Sequence, residues 1–215
     1  MALDLPTLDV PLFQLADYAG VALFAATGAL AAARLRHDIV TFGVFAAVTG
    51  VGGGTLRDLL LGVPVFWVGD SGYLAVSLLA ALAVWLTGTG PAWRLTALLW
   101  LDAVGLAAYA VMGAAKATAA GAAPLVALTM GVMTATFGGI VRDVIAGEPS
   151  ILLTREIYAT AALTGAATYV GLGLAGVPSP VPALAGAALA FAVRAGALAF
   201  GWTLPGFGGG NRTEG

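Results

Sequence analysis

Laid against itself at an offset of 85 residues, which carries Asp17 onto Asp102, the sequence repeats without a gap. Asp17-Tyr18-Ala19-Gly20 falls on Asp102-Ala103-Val104-Gly105, and Gly28-Ala29 on Gly113-Ala114. Thr49-x3-Gly53-Gly54-x2-Arg57-Asp58-x3-Gly62-x-Pro64 falls on Thr134-x3-Gly138-Gly139-x2-Arg142-Asp143-x3-Gly147-x-Pro149, after which Tyr73 meets Tyr158. The matched positions are charges, glycines and prolines. A duplication that only built a symmetric bundle would be expected to lose them.

Each copy is built from apolar runs. Of 215 residues 60% are hydrophobic and 9% charged, with mean hydropathy +0.98, where soluble domains carry ~25% charged residues. A water-facing globule is excluded. Runs bounded by Pro, Gly and charge lie at roughly 11–33, 39–61, 73–89, 95–116, 124–146, 156–175 and 181–203, close to the ~20 residues that cross ~30 Å of hydrocarbon. Ala, Leu and Gly dominate them, which disfavours the alternating strands of a membrane barrel. The expected fold class is therefore all-α integral membrane, with seven transmembrane helices arranged as two three-helix repeats plus a seventh helix. Residues 1–94 form the first repeat, 95–175 the second, 176–205 the seventh helix and 206–215 a Gly-rich tail expected to be mobile. Three spans per copy is an odd number, so the second copy enters the membrane from the opposite face. Inverted repeats with glycine-interrupted spans point to a transport pathway between them near the midplane.

Charge placement sets the orientation. Arg34, Arg36, Arg94, Arg155 and Arg212 all fall on one side of a seven-span chain, while Asp4, Asp9 and Asp70 fall on the other with Lys116. The arginine side is expected to be cytoplasmic. That places the N-terminus outside and the C-terminus inside a bacterial-type inner (plasma) membrane, with the first span retained, since no basic leader precedes it. The scattered basic residues and net charge of -2 give no face for nucleic acid. Zero Cys and one His leave no thiolate or imidazole metal site, no Ser-His-Asp set and no His dyad. No enzyme, cofactor or tightly bound metal is expected.

The chemistry concentrates where the apolar spans are interrupted. Gly50, Gly52, Gly53 and Gly54 in span two, and Gly138 and Gly139 in span five, weaken the helix by ~1 kcal/mol each relative to Ala. A bend there would free carbonyls near Thr49 and Thr134, and unpaired backbone is tolerated in a membrane only when buried in protein or facing a watery cavity. Carbonyls with the hydroxyls of Thr49, Thr134 and Thr136 are oxygen ligands suited to a partly dehydrated monovalent cation passing Thr49, Gly53, Thr134 and Gly138. The plainer alternative is that the glycines allow close helix packing. The duplicated run followed by Arg-Asp favours the pathway.

Arg57-Asp58 and Arg142-Asp143 follow the glycines. An arginine at a helix centre costs ~2.5–3.5 kcal/mol without a partner or water. Adjacent residues on a helix point ~100° apart, so partners are sought elsewhere. Matching depths pair Asp17 with Arg57 and Asp102 with Arg142, one ion pair near each mouth. Lys116 falls on Ala31 in the repeat and breaks the symmetry; snorkelling to the interface is expected, with a gating cation at the outer mouth as the functional alternative. Arg194 has no counterpart and should face protein or another subunit. Trp67, Trp85, Trp93 and Trp202 lie near span ends, as interfacial anchors do, and His37 is loop-facing.

Two copies of Gly-Gly-x-x-Arg-Asp, Gly53 to Asp58 and Gly138 to Asp143, each closed by Gly-x-Pro in a seven-span chain, resemble the prokaryotic trimeric intracellular cation (TRIC) channel family. Its bacterial members are catalogued also as glycine transporters. The resemblance implies a homotrimer with a pore in each subunit, lined by kinked spans two and five, that conducts potassium and to a lesser extent sodium. Carried onto this chain, the pore-lining residues are Thr49, Gly53, Gly54, Arg57, Asp58, Thr134, Gly138, Gly139, Arg142 and Asp143. The Lys-Glu-Val motif of animal members, tied to phosphoinositide binding, is missing here. Arginines beside a cation pathway must be neutralised by Asp17, Asp102 or the adjacent aspartates, or act as a gate. The competing function is a secondary carrier for a small amino acid such as glycine, holding a carboxylate at a half-helix N-terminus. Unitary currents would mark the channel, and saturable uptake without them the carrier.

Overall fold

The computed structural model describes residues 10–87, 92–151 and 156–205, with side chains described from Gln14 and from Leu95 in the first two stretches. The described residues form eight helices: α1 (Val10–Arg34), α2 (Ile39–Leu61), α3 (Phe66–Gly69), α4 (Gly72–Leu86), α5 (Ala92–Ala119), α6 (Pro124–Ala146), α7 (Ala159–Leu174) and α8 (Val181–Phe200). Local chemistry explains the bounds of the central pair. Asp38 opens α2 by accepting the Thr41 backbone N–H at 2.8 Å, a side-chain N-cap. Pro124, whose missing N–H is no loss at the first turn, opens α6. Both helices close on a glycine at φ 67°, Gly62 and Gly147, whose N–H groups return to carbonyls of the last turn. Pro64 and Pro149 follow two residues later, where the helix cannot resume. Thus α2 and α6, each 23 residues long, begin and end at the same repeat positions.

Helices α1, α2, α5, α6 and α8 are long and apolar enough to cross a membrane, while α4 and α7, at 15 and 16 residues, are shorter apolar helices. Hydropathy merged the four-residue α3 into the approach to the third span and started the sixth before Tyr158. Helix α1 packs on α2, α4 and α5, α2 crosses α6, and α8 lies against α5 and α7. Large apolar side chains cover the outside, among them Val40, Leu59, Leu86, Leu125, Leu184 and Phe200, the surface that a hydrocarbon solvent favours. The charged residues point inward instead: Asp17, Arg57, Asp58, Asp102, Arg142, Asp143 and Arg194 are all buried. The tail from residue 206, Asp4, Asp9, Arg155 and Arg212 lie outside the described residues, as do the side chains of Trp93 and Arg94. Trp85 and Trp202 are exposed, and His37 is exposed with its ring 5.8 Å from that of Phe45.

Candidate functional site: a reciprocal glycine crossing between two charged clusters

Where α2 crosses α6, each helix presses a glycine onto the other's backbone. A Cβ built on Gly53 would overlap the Thr134 carbonyl oxygen, and one on Gly138 would lie 2.5 Å from the Thr49 carbonyl oxygen. The two contacts exchange under the repeat offset, so the crossing is self-complementary, as across a two-fold axis. Each threonine is seated against a further glycine in the same way, Thr49 Oγ1 2.6 Å from a Cβ on Gly28 and Thr134 Oγ1 2.6 Å from one on Gly113. Both helices stay continuous through their glycines. The expected break in helical pairing does not occur: without side chains the backbones can approach, and close crossing is what the glycines permit. Gly54 lies against the Phe66 ring, Gly139 against the Tyr158 hydroxyl and Gly50 against Ser77, whereas a Cβ on Gly52 meets nothing nearer than 4.0 Å. Thr134 and Thr136 donate back to the carbonyls of Met130 and Val132, at 2.6 and 2.9 Å. The buried Thr49 Oγ1 has no partner among the described residues.

The Arg-Asp pairs correct a sequence expectation. Arg57 Nε lies 2.8 Å from Asp58 Oδ1, and Arg142 Nε 2.9 Å from Asp143 Oδ1. Neighbouring Cβ directions diverge, but the long arginine side chain curls back to its neighbour's carboxylate. The other carboxylate oxygen reaches across the turn. Asp58 Oδ2 accepts the Phe66 backbone N–H and Asp143 Oδ2 the Ile151 backbone N–H, each at 3.0 Å. Backbone outside a helix needs a partner where water is scarce, and these carboxylates supply it after each Gly-x-Pro turn. Sequence reasoning missed this use. The signal was present in an aspartate placed just before a turn whose returning chain needs an acceptor.

Beyond the shared core the two clusters differ. Arg142 Nη1 lies 2.8 Å from Asp102 Oδ1 and 3.1 Å from Thr27 Oγ1. The counterpart pairing of Arg57 with Asp17 is absent from the described ion pairs. Asp17 instead accepts the Tyr109 hydroxyl at 3.0 Å on Oδ1 and the Tyr73 hydroxyl at 3.3 Å on Oδ2. Those phenols outcompete the arginine for its carboxylate, and they carry no charge by which sequence reasoning could have ranked them. Lys116 does not simply snorkel. Its Nζ sits 2.9 Å from Asp58 Oδ1, and it flanks the Phe66 ring together with Arg57. In the first cluster Asp17 and Asp58 balance Arg57 and Lys116; in the second, Asp102 and Asp143 exceed Arg142 by one negative charge. All of these side chains are buried except Lys116, which is 29% exposed. Elsewhere Arg194, 1% exposed, pairs with Glu156 at 2.9 Å and lies over the Tyr158 ring. Arg34 and Glu148 pair at 2.9 Å on the surface. Among the described residues no group of three or more His, Asp or Glu is placed to hold a metal ion.

The family described as Glycine transporter matches twice, at residues 14–89 and 99–173, the two matches following the repeat. A UPF0126 membrane protein of Vibrio cholerae is 38% identical over 204 residues, covering 93% of this chain and 84% of that one. The UPF0126 inner membrane protein YadS of Escherichia coli K12 is 40% identical over 197 residues, covering 89% and 94%. Among solved structures, the TRIC trimeric intracellular cation channel orthologue from Rhodobacter sphaeroides is 49% identical with a TM-score of 0.86, over 89% of this chain and 99% of that one. A structure described as the basis for conductance through TRIC cation channels is 30% identical with a TM-score of 0.80, over 95% and 99%.

Proposed function

Because the chain belongs to the family described as Glycine transporter, that of the UPF0126 membrane proteins, and its solved relatives are TRIC channels, we propose that it is a monovalent cation channel. Each subunit of a homotrimer holds its own pore for potassium, and also for sodium, running along α2 and α6. The observation that carries this reading is the self-complementary crossing with a charged cluster on each copy. Oxygens of Thr49, Thr134 and Thr136 beside Gly53 and Gly138 replace part of the ion's hydration. Asp102 and Asp143 overcompensate Arg142, so that cluster draws cations in and leaves no net repulsion. At the other cluster Lys116 supplies the charge that balances Asp58, and its withdrawal would leave a net negative mouth. A single charge moved through the full membrane field is worth ~2.3 kcal/mol per 100 mV, enough to make Lys116 a voltage-dependent gate.

In this reading residues 1–94 and 95–175 are inverted three-helix repeats, and 176–205 adds a seventh span. The N-terminus faces outward and the C-terminus the cytoplasm of an inner membrane. Inversion is supported by the company each helix end keeps. The ends of α2 and α5 meet through Asp58 and Lys116, and the end of α1 meets the turn after α6 through Arg34 and Glu148. The activity requires no cofactor beyond the permeant ion. The family's description favours a second reading, a carrier for a small amino acid such as glycine. Recording from purified protein in a planar bilayer separates the two. Unitary potassium currents support the channel; saturable uptake of labelled glycine into liposomes without unitary currents replaces it with the carrier.

A further inference from the structure

Two aromatic rings meet edge to face between the copies, Phe24 of α1 and Tyr109 of α5, with centroids 5.4 Å apart. They occupy the same repeat position. Each fills a notch left by a glycine of the other copy's helix: a Cβ on Gly20 would overlap the Tyr109 ring, and one on Gly105 would lie 3.1 Å from that of Phe24. The seats match, and one hydroxyl distinguishes the occupants. Tyr109 uses it on Asp17, reaching Oδ1 at 3.0 Å and lying 3.2 Å from the backbone carbonyl oxygen. Phe24 has nothing to offer Asp102, which turns to Arg142. A second exchange reinforces the first, since the Thr27 hydroxyl accepts from Arg142 Nη1 while its counterpart Met112 has no side-chain oxygen. Arg57 keeps its Asp58 contact but has no second carboxylate among the described ion pairs, where Arg142 has both Asp102 and Asp143. Lys116 takes up Asp58, whose counterpart Asp143 receives Arg142 Nη2, and Arg57 Nη2 is left without a partner among the described residues; Lys116 does not account for the missing Asp17 pair, because its ion pair is with Asp58.

We propose that Tyr109 is a positioning residue that makes the two ends of the pathway electrically unequal: its hydroxyl retains Asp17, leaving Arg57 without the counter-charge that Asp102 gives Arg142. A cation entering past Arg57 meets a guanidinium paired with Asp58 alone; one entering past Arg142 meets a guanidinium paired with both Asp102 and Asp143. Current carried by cations entering at the Arg142 end therefore exceeds current carried by cations entering at the Arg57 end. The electrical consequence rests on the channel reading, and the pairing itself does not.

Two measurements on the full chain test the proposal. In symmetric potassium chloride, oriented wild-type protein should show currents at opposite voltages differing by roughly three- to tenfold, the effect of one partly screened charge at an effective dielectric constant near 20. Tyr109→Phe should bring that ratio toward unity, and the double variant Phe24→Tyr/Tyr109→Phe should lower it further, Lys116 still setting the first cluster apart. Phe24→Tyr alone, which leaves Tyr109 in place, should also lower the ratio by diverting Asp102, and it serves if Tyr109→Phe does not fold. Variants that conduct with the wild-type ratio overturn the proposal. The structure of Tyr109→Phe, or of Phe24→Tyr, gives the second measurement. The Asp17 carboxylate should move to ion-pair distance from Arg57 in the former, and Asp102 should leave Arg142 in the latter; unchanged pairing overturns the proposal. Wild-type protein that passes no unitary current would sink the channel reading, and the structures would still decide the role of Tyr109.

Discussion

Gly52 and Gly53 are adjacent on α2 yet differ sharply in what they can tolerate. A methyl group at position 53 would strike the Thr134 backbone, while one at 52 meets open space out to the Cα of Gly138. Overpacking of this kind costs about 1–3 kcal/mol. Gly53→Ala should therefore lower the melting temperature in detergent by several degrees, with Gly138→Ala doing the same and Gly52→Ala leaving it unchanged or slightly higher. Equal effects at 52 and 53 would contradict the crossing. Among the charges, removing one partner of a buried pair costs about 3–5 kcal/mol. Asp102→Asn should fall at the low end, since Asp143 still faces Arg142, and Asp17→Asn should cost less because its donors are neutral phenols. Thermal unfolding of both variants checks the order. That Asp17, Arg57, Asp102 and Arg142 matter was legible from their duplication in apolar spans. Their partners were only half legible, since repeat symmetry predicts equivalent pairing and a single hydroxyl on Tyr109 breaks it.

At the scale of elements, the sequence marks helices best where it stops them. Gly62-x-Pro64 and Gly147-x-Pro149 fixed the ends of α2 and α6, and the apolar runs located the long helices, because a span must bury its backbone internally and so cannot be patchy. What hydropathy could not resolve is α3 and the late start of α7, since the returning chain after each turn is apolar but held by the carboxylates of Asp58 and Asp143. Asp58→Ala should loosen the stretch around Phe66. Faster hydrogen exchange at the Phe66 amide, with the α2 amides still protected, would show it. The N-cap of α2 gives a pH dependence. The Thr41 backbone N–H holds the Asp38 carboxyl below its ordinary value of 3.8. A depressed folded-state value adds stability above the ordinary range, and that stability is lost as the pH falls through the lower, folded value. The melting-temperature gap between wild type and Asp38→Ala should thus be present at neutral pH and close as the solution is acidified below 3.8.

For the whole molecule, the absence of cysteine makes topology directly measurable. Single cysteines at His37 and Thr87 should react with a membrane-impermeant maleimide only from the cytoplasmic side, and cysteines at Ala120 and Gly176 only from outside. Any pair of loops labelled from the wrong side would undo the inverted arrangement. That the chain is an all-helical membrane protein with a duplicated sequence was readable because duplication and hydropathy are properties of long stretches. The glycine-to-carbonyl contacts of the crossing were not, because they depend on how two distant helices meet. The contacts of that crossing, Gly53 on Thr134 and Gly138 on Thr49, are those that two separate half-length polypeptides, inserted in opposite senses, would make with each other. A gene severed after residue 89 should accordingly yield two fragments that find one another in the membrane and co-purify.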